Sequence, residues 1–307
     1  MKDYIKLILI FAAFFISINL ESSKITPPTF AYAICAVVLV FGAVAYKRHK
    51  SEYMKRMYTV IIAVQLVFFL AIPYWVFKQS MALNNIWPLF PEVLWTAGGL
   101  LLWYYIISFV FLPVIVFIYG RRAWCSFICG TGAQAETLGD PYRTAGPKGN
   151  GVPGYFTAIK WLLLAVTAAA TVFALAGGSQ DRLFGLVFLV FFVLILRTLV
   201  YSAINIILMP RLGNRIWCKY FCPQGLIIGL ISRAGRFALI RDPSLCAGCG
   251  TCNRNCSMSI DITGGPVVNK SGDCVGCGVC VEACPQKALS MTTDSALVKQ
   301  YSEKVGM

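Results

Sequence analysis

Two cysteine runs near the C-terminus constrain this chain more than any other feature of its sequence. The runs are Cys246-x2-Cys249-x2-Cys252-x3-Cys256 and Cys274-x2-Cys277-x2-Cys280-x3-Cys284-Pro285. This spacing is typical of small domains with two cubane iron–sulfur clusters, in which three cysteines of a run hold one cluster and the fourth ligates the other. The pattern therefore predicts two [4Fe-4S] clusters and a function in electron transfer.

The exchanged fourth cysteine gives each cluster its own set of ligands. The first set is Cys246, Cys249, Cys252 and Cys284, and the second is Cys274, Cys277, Cys280 and Cys256. Structural zinc is the alternative, but zinc sites usually pair two C-x2-C knuckles, whereas the two-cluster interpretation uses all eight thiols. Residues Arg241 to Thr293 resemble the bacterial two-cluster ferredoxins, with Ser257 where the first run would usually carry proline.

The first two-thirds of the chain is too apolar for a soluble core. Hydrophobic residues make up 58% of the sequence, and several runs reach the roughly 20 residues that span a bilayer. We expect six spans, the first an uncleaved one because no small-residue cleavage site follows it: Ile5–Leu20, Phe30–Tyr46, Met57–Phe77, Val93–Tyr119, Phe156–Ala176 and Leu183–Met209. The sequence thus predicts an α-helical integral membrane protein with a C-terminal α+β ferredoxin domain of the bacterial 2[4Fe-4S] type.

The distribution of cations predicts the orientation in the membrane. Lysine and arginine are concentrated in the second, fourth and sixth connections, and few lie in the others. By the positive-inside rule, both termini and the ferredoxin domain then face the cytoplasm of a bacterial cytoplasmic (inner) membrane, where reducing conditions protect free thiols. The net charge of +14 is explained by membrane lipid rather than by nucleic acid.

Four further cysteines belong to an internal repeat. The two copies are Gly120–Gly132, with Cys125 and Cys129, and Gly213–Gly225, with Cys218 and Cys222. Both follow the pattern G-x-R-x-W-C-x-aromatic-apolar-C-x-x-G, and each closes a two-span unit. Duplicated helical hairpins related by an axis along the membrane normal would bring the two motifs together at the cytoplasmic face.

Converging thiolates from the two motifs would form a soft, anionic site suited to iron, an iron–sulfur cluster or copper(I). Arg122 and Arg215 are expected to favour the thiolate form. Within one motif, residues four apart on a helix have Cβ atoms about 5–6 Å apart, which is too far for a disulfide. The alternative is that these are structural cysteines packed beside Trp124 and Trp217, as we expect for Cys35 in the second span.

Apolar spans, two C-x3-C motifs and a two-cluster ferredoxin domain together resemble the membrane polyferredoxin family of the NapH, NosR and CcoG types. The compact organisation is closest to the NapH type, with two additional N-terminal spans and no room for the extra domains of the other types. The resemblance implies a quinol dehydrogenase subunit of an oxidoreductase complex, working with quinone and other redox subunits or ferredoxin-like proteins. The first motif departs from the family pattern, since Gly130 follows Cys129 where proline is usual.

Three other features of the sequence bear on function. Arg197 lies well inside the sixth span, so it is a candidate for a quinone or proton path, unless it snorkels to the interface.

The sequence contains a single histidine, His49, which excludes bis-histidine haem ligation by this chain alone. The stretch from Gly130 to Ala135 fits the dinucleotide fingerprint formally, but it follows a membrane span and a cysteine motif rather than a strand. We expect a cytoplasmic loop from Gly130 to Gly154 instead.

We therefore expect a membrane domain at residues 1–210, the second motif with an interfacial helix at 211–240, the ferredoxin domain at 241–294 and a tail at 295–307. The leading hypothesis is a membrane-bound protein that passes electrons between the quinone pool, or a membrane redox partner, and cytoplasmic [4Fe-4S] clusters. No catalytic side chain is nominated, because the cofactors carry the chemistry. The alternatives are a copper or iron reductase and assembly factor that uses the C-x3-C thiols, and a redox-sensing regulator.

Overall fold

The computed structural model describes residues 6–7, 9–10, 12, 29–67, 71, 100–148, 154–175, 205–265 and 267–304. The long helices are α1 (Thr29–Arg48), α2 (Glu52–Leu66), α3 (Leu100–Tyr119) and α5 (Gly154–Leu175), with the short α4 (Gly130–Thr137) between the last two. They overlap four of the six expected spans, whereas most of Ile5–Leu20 and Leu183–Met209 lies outside the described residues. Among the helices of the described ranges, none is long and apolar enough to cross a membrane.

The first helices form a hairpin that holds α4. Only three residues separate α1 from α2, and both helices pack against α4. Apolar side chains at helical spacing on α2, among them Met54, Met57 and Ile61, are buried in a core shared with Ala133 of α4. Val279 of the C-terminal domain belongs to the same core. The helical part and the ferredoxin domain therefore pack as neighbours.

The repeat is visible as two copies of one local structure. A short π-helical turn, π1 (Ala123–Ile128), precedes α4, and a second one, π2 (Trp217–Phe221), precedes α8 (Pro223–Ala234). Two short helices, α6 (Asn205–Ile207) and α7 (Met209–Leu212), lead into π2. A helix within residues 211–240, as expected after the second motif, is thus present as α8, and it packs against α3 and α5.

The C-terminal domain has the expected α+β architecture. Its elements are β1 (Ala238–Arg241), α9 (Thr251–Asn255), β2 (Val268–Asn269), α10 (Val279–Glu282), β3 (Leu289–Thr292) and α11 (Ser295–Lys304). The antiparallel sheet has the order β2-β1-β3, and Leu239 of the central strand pairs with Asn269 and Met291. Residues 295–304, expected to be a tail, form α11 because Val298 is buried against Ala238 and Ile240.

His49, the only histidine of the sequence, forms one of the contacts between the ferredoxin domain and the helical part. His49 follows α1, and its side chain is 13% exposed. Its Nδ1 lies 2.5 Å from Oε2 of Glu282 on α10, and its Nε2 lies 3.0 Å from Oδ1 of Asp140. Since both partners are carboxylates, the ring donates to both only when both nitrogens are protonated. The hydrogen bond to Asp140 raises the pKa of His49 above its usual 6.5, although burial opposes it.

We expect this histidine to make stability depend on pH. Because the pKa of His49 is raised in the folded protein, its contribution is complete at low pH, begins to decline above about 6.5 and is lost once the pH passes the raised value. The urea midpoint of the wild-type protein, followed by cluster absorbance, should fall across that range. His49→Gln should lower the free energy of unfolding at pH 6, obtained from the urea transition, by about 1–3 kcal/mol. It should also flatten the pH profile.

The matched control is Lys50→Gln, which removes an exposed cation from the neighbouring position and should leave both midpoint and profile unchanged. An identical pH profile in the wild-type and His49→Gln proteins would refute the assignment of the histidine as the titrating link.

Candidate metal centres

Two cavities in the ferredoxin domain are each lined by four cysteines. One is lined by Cys246, Cys249, Cys252 and Cys284, and the other by Cys256, Cys274, Cys277 and Cys280. These are the two ligand sets that the exchanged fourth cysteine predicts. All thirteen cysteines of the chain are free thiols, so each cavity offers the four sulfur ligands that a cubane needs.

The two cavities are built alike. Gly250 precedes α9 and Gly278 precedes α10, with φ of 67° and 83°, so that each loop turns sharply before its helix in a conformation that suits glycine. The fourth cysteine of each run accepts a hydrogen bond from a backbone N–H four residues later, Ile260 to Cys256 and Ala288 to Cys284, both at 3.4 Å. The sequence repeat is therefore a structural repeat.

The two sites differ in burial. Burial raises the pKa of Cys274 to about 12 and also raises the pKa of Cys277 and Cys280. Cys249, at the other site, is exposed, and a hydrogen bond with Thr251 lowers its pKa. Because iron binds thiolates, it must displace protons from the buried set. The second cluster is thus the inner one and the first is the outer one.

Each C-x3-C motif is a π-helical turn that ends at its second cysteine. The N–H of Cys129 donates to the carbonyl of Trp124, and the N–H of Cys222 donates to that of Trp217, both at 2.9 Å and five residues apart. The same cysteines are the N-caps of α4 and α8. They therefore lie at the positive end of a helix dipole. The thiol of Cys222 also accepts the N–H of Gly225 at 3.3 Å.

The structure brings the four motif cysteines into one buried pocket. Cys125 and Cys218 belong to one hydrophobic core, against which Cys129 and Cys222 pack. Burial, with a smaller contribution from the neighbouring thiols, raises the pKa of Cys129 to about 11. In the part of the chain that the structure describes, no three or more His, Cys, Asp or Glu side chains come close enough to hold a single metal ion. This holds for the motif pocket and for the ferredoxin cysteines alike.

Two fully buried arginines tie the motifs together reciprocally. Arg121 of the first motif donates from Nε to its own Cys125 Sγ at 3.4 Å and from Nη2 to the carbonyl of Cys218 at 3.4 Å. Arg215 of the second motif approaches its own Cys218 Sγ at 3.7 Å and donates to the carbonyl of Cys125 at 2.8 Å. Each guanidinium thus contacts a sulfur of its own motif and the backbone of the other.

The last glycine of each motif makes this exchange possible. A Cβ on Gly225 would lie 2.4 Å from Nη2 of Arg121, and one on Gly132 would lie 1.7 Å from the carbonyl oxygen of Cys125 and 3.4 Å from Nη1 of Arg215. Any larger residue would displace the crossing arginine or the backbone that it binds. The repeated glycine is therefore explained by the space that the crossing arginine, or the carbonyl that it binds, needs.

The expected role of Arg122 is wrong for this pocket. Arg122 aligns with Arg215 in the repeat, yet it donates to the hydroxyl of Tyr53 at 3.0 Å and lies over the ring of Phe237. Arg121, which aligns with Asn214, takes the place beside the thiols. Burial also outweighs the arginines, because the pKa of Cys125 is raised despite the opposing effect of Arg121.

Glu136 is a site residue that the sequence analysis missed. It lies on α4, in the stretch expected to be a loop, and it is completely buried. Its two carboxylate oxygens bind the guanidinium groups of Arg143 and Arg215. Burial alone would raise the pKa of Glu136, but the two arginines outweigh it and lower the pKa. The only available signal was a lone acidic residue seven positions after Cys129 in an otherwise uncharged stretch.

The buried charges continue toward the surface as a chain of alternating sign. Arg143 binds Asp140 at 2.8 Å, and Asp140 also binds Arg48 at 2.9 Å and His49. Lys160 of α5 is only 5% exposed and lies within electrostatic range of Cys218 and Cys222. Arg197 lies outside the described residues.

Two family models match the sequence. A 4Fe-4S dicluster domain matches residues 238–291, which contain both ferredoxin cavities. A 4Fe-4S binding domain matches residues 101–145 and 182–241, which contain the two C-x3-C motifs. Both descriptions are of iron–sulfur proteins, and together with the cysteine-lined cavities they define the class. The chain is a protein with two [4Fe-4S] clusters.

Two known proteins are similar to the chain. The "Putative electron transport protein YccM" of Escherichia coli K12 is 23% identical over 193 residues, 59% of this chain and 52% of the relative. The "Uncharacterized protein MJ0749" of Methanocaldococcus jannaschii is 32% identical over 76 residues, 25% of this chain and 30% of the relative. The match thus spans about half of the first relative and less of the second. No solved structure matches the chain significantly.

We expect Glu136→Gln to destabilise the protein by about 3–5 kcal/mol, because it leaves two buried arginines without their shared counter-charge. The urea midpoint of the cluster absorbance measures the loss. The matched control is Glu303→Gln, which breaks an exposed ion pair with Lys299 of 3.8 Å and should cost less than about 1 kcal/mol. Equal midpoints for the two variants would show that the buried network adds no stability.

The exchange of fourth ligands predicts a specific pattern of double variants. Cys256→Ala should remove about half of the iron and acid-labile sulfide that the ferredoxin domain holds, because it deprives only the inner cluster of a ligand. Adding Cys274→Ala should remove no more, whereas adding Cys246→Ala should abolish both clusters. Ser257→Ala is the control and should keep the full content. If Cys256→Ala and Cys246→Ala affect the same cluster, the runs do not exchange ligands.

Proposed function

We propose that this chain is a membrane-anchored carrier that passes electrons between the quinone pool, or another membrane redox partner, and its ferredoxin clusters. One observation carries the proposal. The hydrophobic core that holds Cys125 and Cys218 also contains Met258 and Val275, and inner-cluster ligands Cys256 and Cys277 pack against it. The motif pocket and the inner cluster are therefore direct neighbours, as short electron-transfer steps require.

The order of the centres follows from this packing. The motif pocket lies beside the inner cluster, and the outer cluster follows it with Cys249 at the protein surface. Electrons would enter or leave at the exposed outer cluster through a cytoplasmic partner, such as a ferredoxin-like protein or another redox subunit. The other end of the path would lie at the motif pocket, on the side of the long helices.

The anchoring in a membrane is supported by the apolar runs of the whole sequence and by the surfaces of the described helices. Large apolar side chains on α1, α3 and α5 are 60–65% exposed, among them Val40, Phe111, Leu162 and Val172. Large apolar side chains exposed on several helices favour a lipid or protein environment over water. With the cation distribution, this supports a multi-pass protein of the bacterial cytoplasmic membrane with both termini inside and a NapH-type role in a complex.

A third iron–sulfur centre in the motif pocket is part of the proposal. Arg121 and Arg215 are each 1% exposed and Lys160 is 5% exposed, whereas the nearby carboxylates are Glu136, shared with Arg143, and the half-exposed Asp273. A buried excess of positive charge requires an anion. Four thiolates around an iron–sulfur cluster would supply one.

Buried hydrogen-bond donors without partners also support an iron–sulfur cluster in the motif pocket. Nε1 of Trp124, Oγ1 of Thr131 and Nε of Arg215 are buried with no hydrogen-bond partner in the described structure. All three belong to the motifs, next to the cysteines. Sulfide and thiolate ligands of a cluster accept such bonds. A single copper or iron ion fits less well, because the thiols are not at the spacing of a one-ion site.

The test is anaerobic purification of the full chain, with iron, sulfide and copper measured per protein and the reduced clusters examined by low-temperature EPR. Replacing Cys125 and Cys218 together by serine should remove about a third of the iron, since a third cubane would be lost and the ferredoxin clusters would remain. Cys35→Ser, the control, changes a buried cysteine outside the motifs and should retain all of it.

The outcomes separate the hypotheses. Unchanged iron in the double serine variant would refute the third centre. Copper that depends on the same two cysteines would favour the metal-handling function instead. Stoichiometric zinc without acid-labile sulfide would refute electron transfer altogether.

A further inference from the structure

A cavity of about 540 Å³ lies between α2, α3 and π1. Its volume is within the range of small-molecule pockets, about 300–1,000 Å³. The wall is mostly apolar and is formed by side chains of all three elements, chiefly Met57, Val60, Val64, Phe111, Ile115 and Phe127. Val60 and Phe111 are 40% and 60% exposed, so the cavity opens along the apolar faces of α2 and α3.

One end of the cavity is polar and cationic. Tyr53, Arg56 and Arg122 line it, and Nη1 of Arg122 donates to the Tyr53 hydroxyl at 3.0 Å. Nε of Arg122 is buried and has no hydrogen-bond partner in the described structure. A buried donor without an acceptor is unfavourable. This end is therefore suited to a ligand that brings a carbonyl or phenolate oxygen.

The polar end lies beside both kinds of redox centre. Phe127 and Ile128, which line the cavity, are two of the three residues between Cys125 and Cys129. The hydroxyl of Tyr53 donates to the carbonyl of Gly276 at 2.8 Å, and Gly276 lies between two ligands of the inner cluster. A ligand in this cavity would thus be separated from each centre by one layer of protein.

We propose that this cavity binds a 1,4-quinone, with a ring oxygen directed at Arg122 and the hydrocarbon tail along α2 and α3. The proposal rests on the proposed function and gives its quinone a site. The chain of a membrane lipid would fill the apolar part, but it would leave the Arg122 donor unpaired. The cationic end and its position beside the cysteine motif favour the ring over a simple chain.

The electron balance fits the centres of this chain. A quinone takes up two electrons and two protons to become a quinol. The two reduced ferredoxin clusters supply one electron each, returning from the [4Fe-4S]⁺ to the [4Fe-4S]²⁺ state, and the protons come from water. The reverse reaction yields two electrons and releases two protons.

The cluster-loaded full chain in lipid nanodiscs provides the test. Binding of decylubiquinone and of menadione to the oxidised protein is measured by equilibrium titration, a readout that needs no turnover. Ile115→Trp and Val64→Trp fill the cavity from opposite walls and should weaken binding at least tenfold. Arg122→Gln should weaken quinone binding while leaving the binding of 1-decanol unchanged. Val172→Trp adds the same bulk at an exposed position of α5 and should bind as the wild type does.

The site is refuted if both tryptophan variants keep their iron content and bind quinone within twofold of the wild type. It is also refuted if 1-decanol competes as well as decylubiquinone, because the cavity would then be a groove for lipid chains. A second measurement follows reoxidation of dithionite-reduced clusters by decylubiquinone. If the wild type neither binds quinone nor is reoxidised by it with saturation, the quinone part of the proposed function fails as well. If the wild type does both and the cavity variants match it, only this location is wrong.

Discussion

The buried carboxylate of Glu136 is the interaction on which the rest of the structure depends. It is completely buried between Arg143 and Arg215, and its charge offsets the cost of burying both guanidinium groups. Arg215 in turn binds the carbonyl of Cys125 and holds the second motif against the first. On the other side, Arg143 also binds Asp140. Asp140 contacts His49, which in turn contacts Glu282 of the ferredoxin domain. One alternating series of charges therefore aligns the motif pocket, the helical hairpin and the inner cluster.

The two motifs are equivalent in function but not in position. Each supplies a buried guanidinium that bonds its own sulfur and crosses to the other motif, yet these are Arg121 and Arg215, which differ by one place in the aligned repeat. The shift leaves Arg122 free to turn toward Tyr53 and Phe237, at the edge of the cavity beside α2. A duplicated unit has thus become asymmetric, with one half joined to the buried charge network through Arg215 and Glu136 and the other facing the proposed quinone site. The two motifs also differ directly after their second cysteine, where the first has Gly130 and the second has Pro223.

The sequence predicts most of the ferredoxin domain because cluster ligation is encoded locally. Eight cysteines at fixed spacing determine both cavities, and no distant contact is needed to identify them. The convergence of Cys125 and Cys218 followed from the repeat. The choice of Arg121 over Arg122 did not, because the motif is a π-helical turn and the direction of its side chains differs from that on an α-helix. Helix α4 was missed because its first residues, Gly130 to Gly132, have low helix propensity. Tertiary burial of Glu136 and Ala133 overrides that propensity, and this burial involves residues more than seventy positions away.

Arg121 lies between the motif pocket and the loop that holds the inner cluster. Its guanidinium bonds the thiol of Cys125 at 3.4 Å, the carbonyl of Gly272 at 3.0 Å and the carboxylate of Asp273 at 3.4 Å. Asp273 directly precedes the inner-cluster ligand Cys274, so the same buried cation faces the motif pocket and the loop that holds the inner cluster. An added electron on either centre is negative charge in a poorly solvated region, where a fixed cation acts strongly. With the proposed third centre in the motif pocket, Arg121 would therefore favour the reduced state at both positions. The outer cluster, with Cys249 exposed, relies on water for the same purpose.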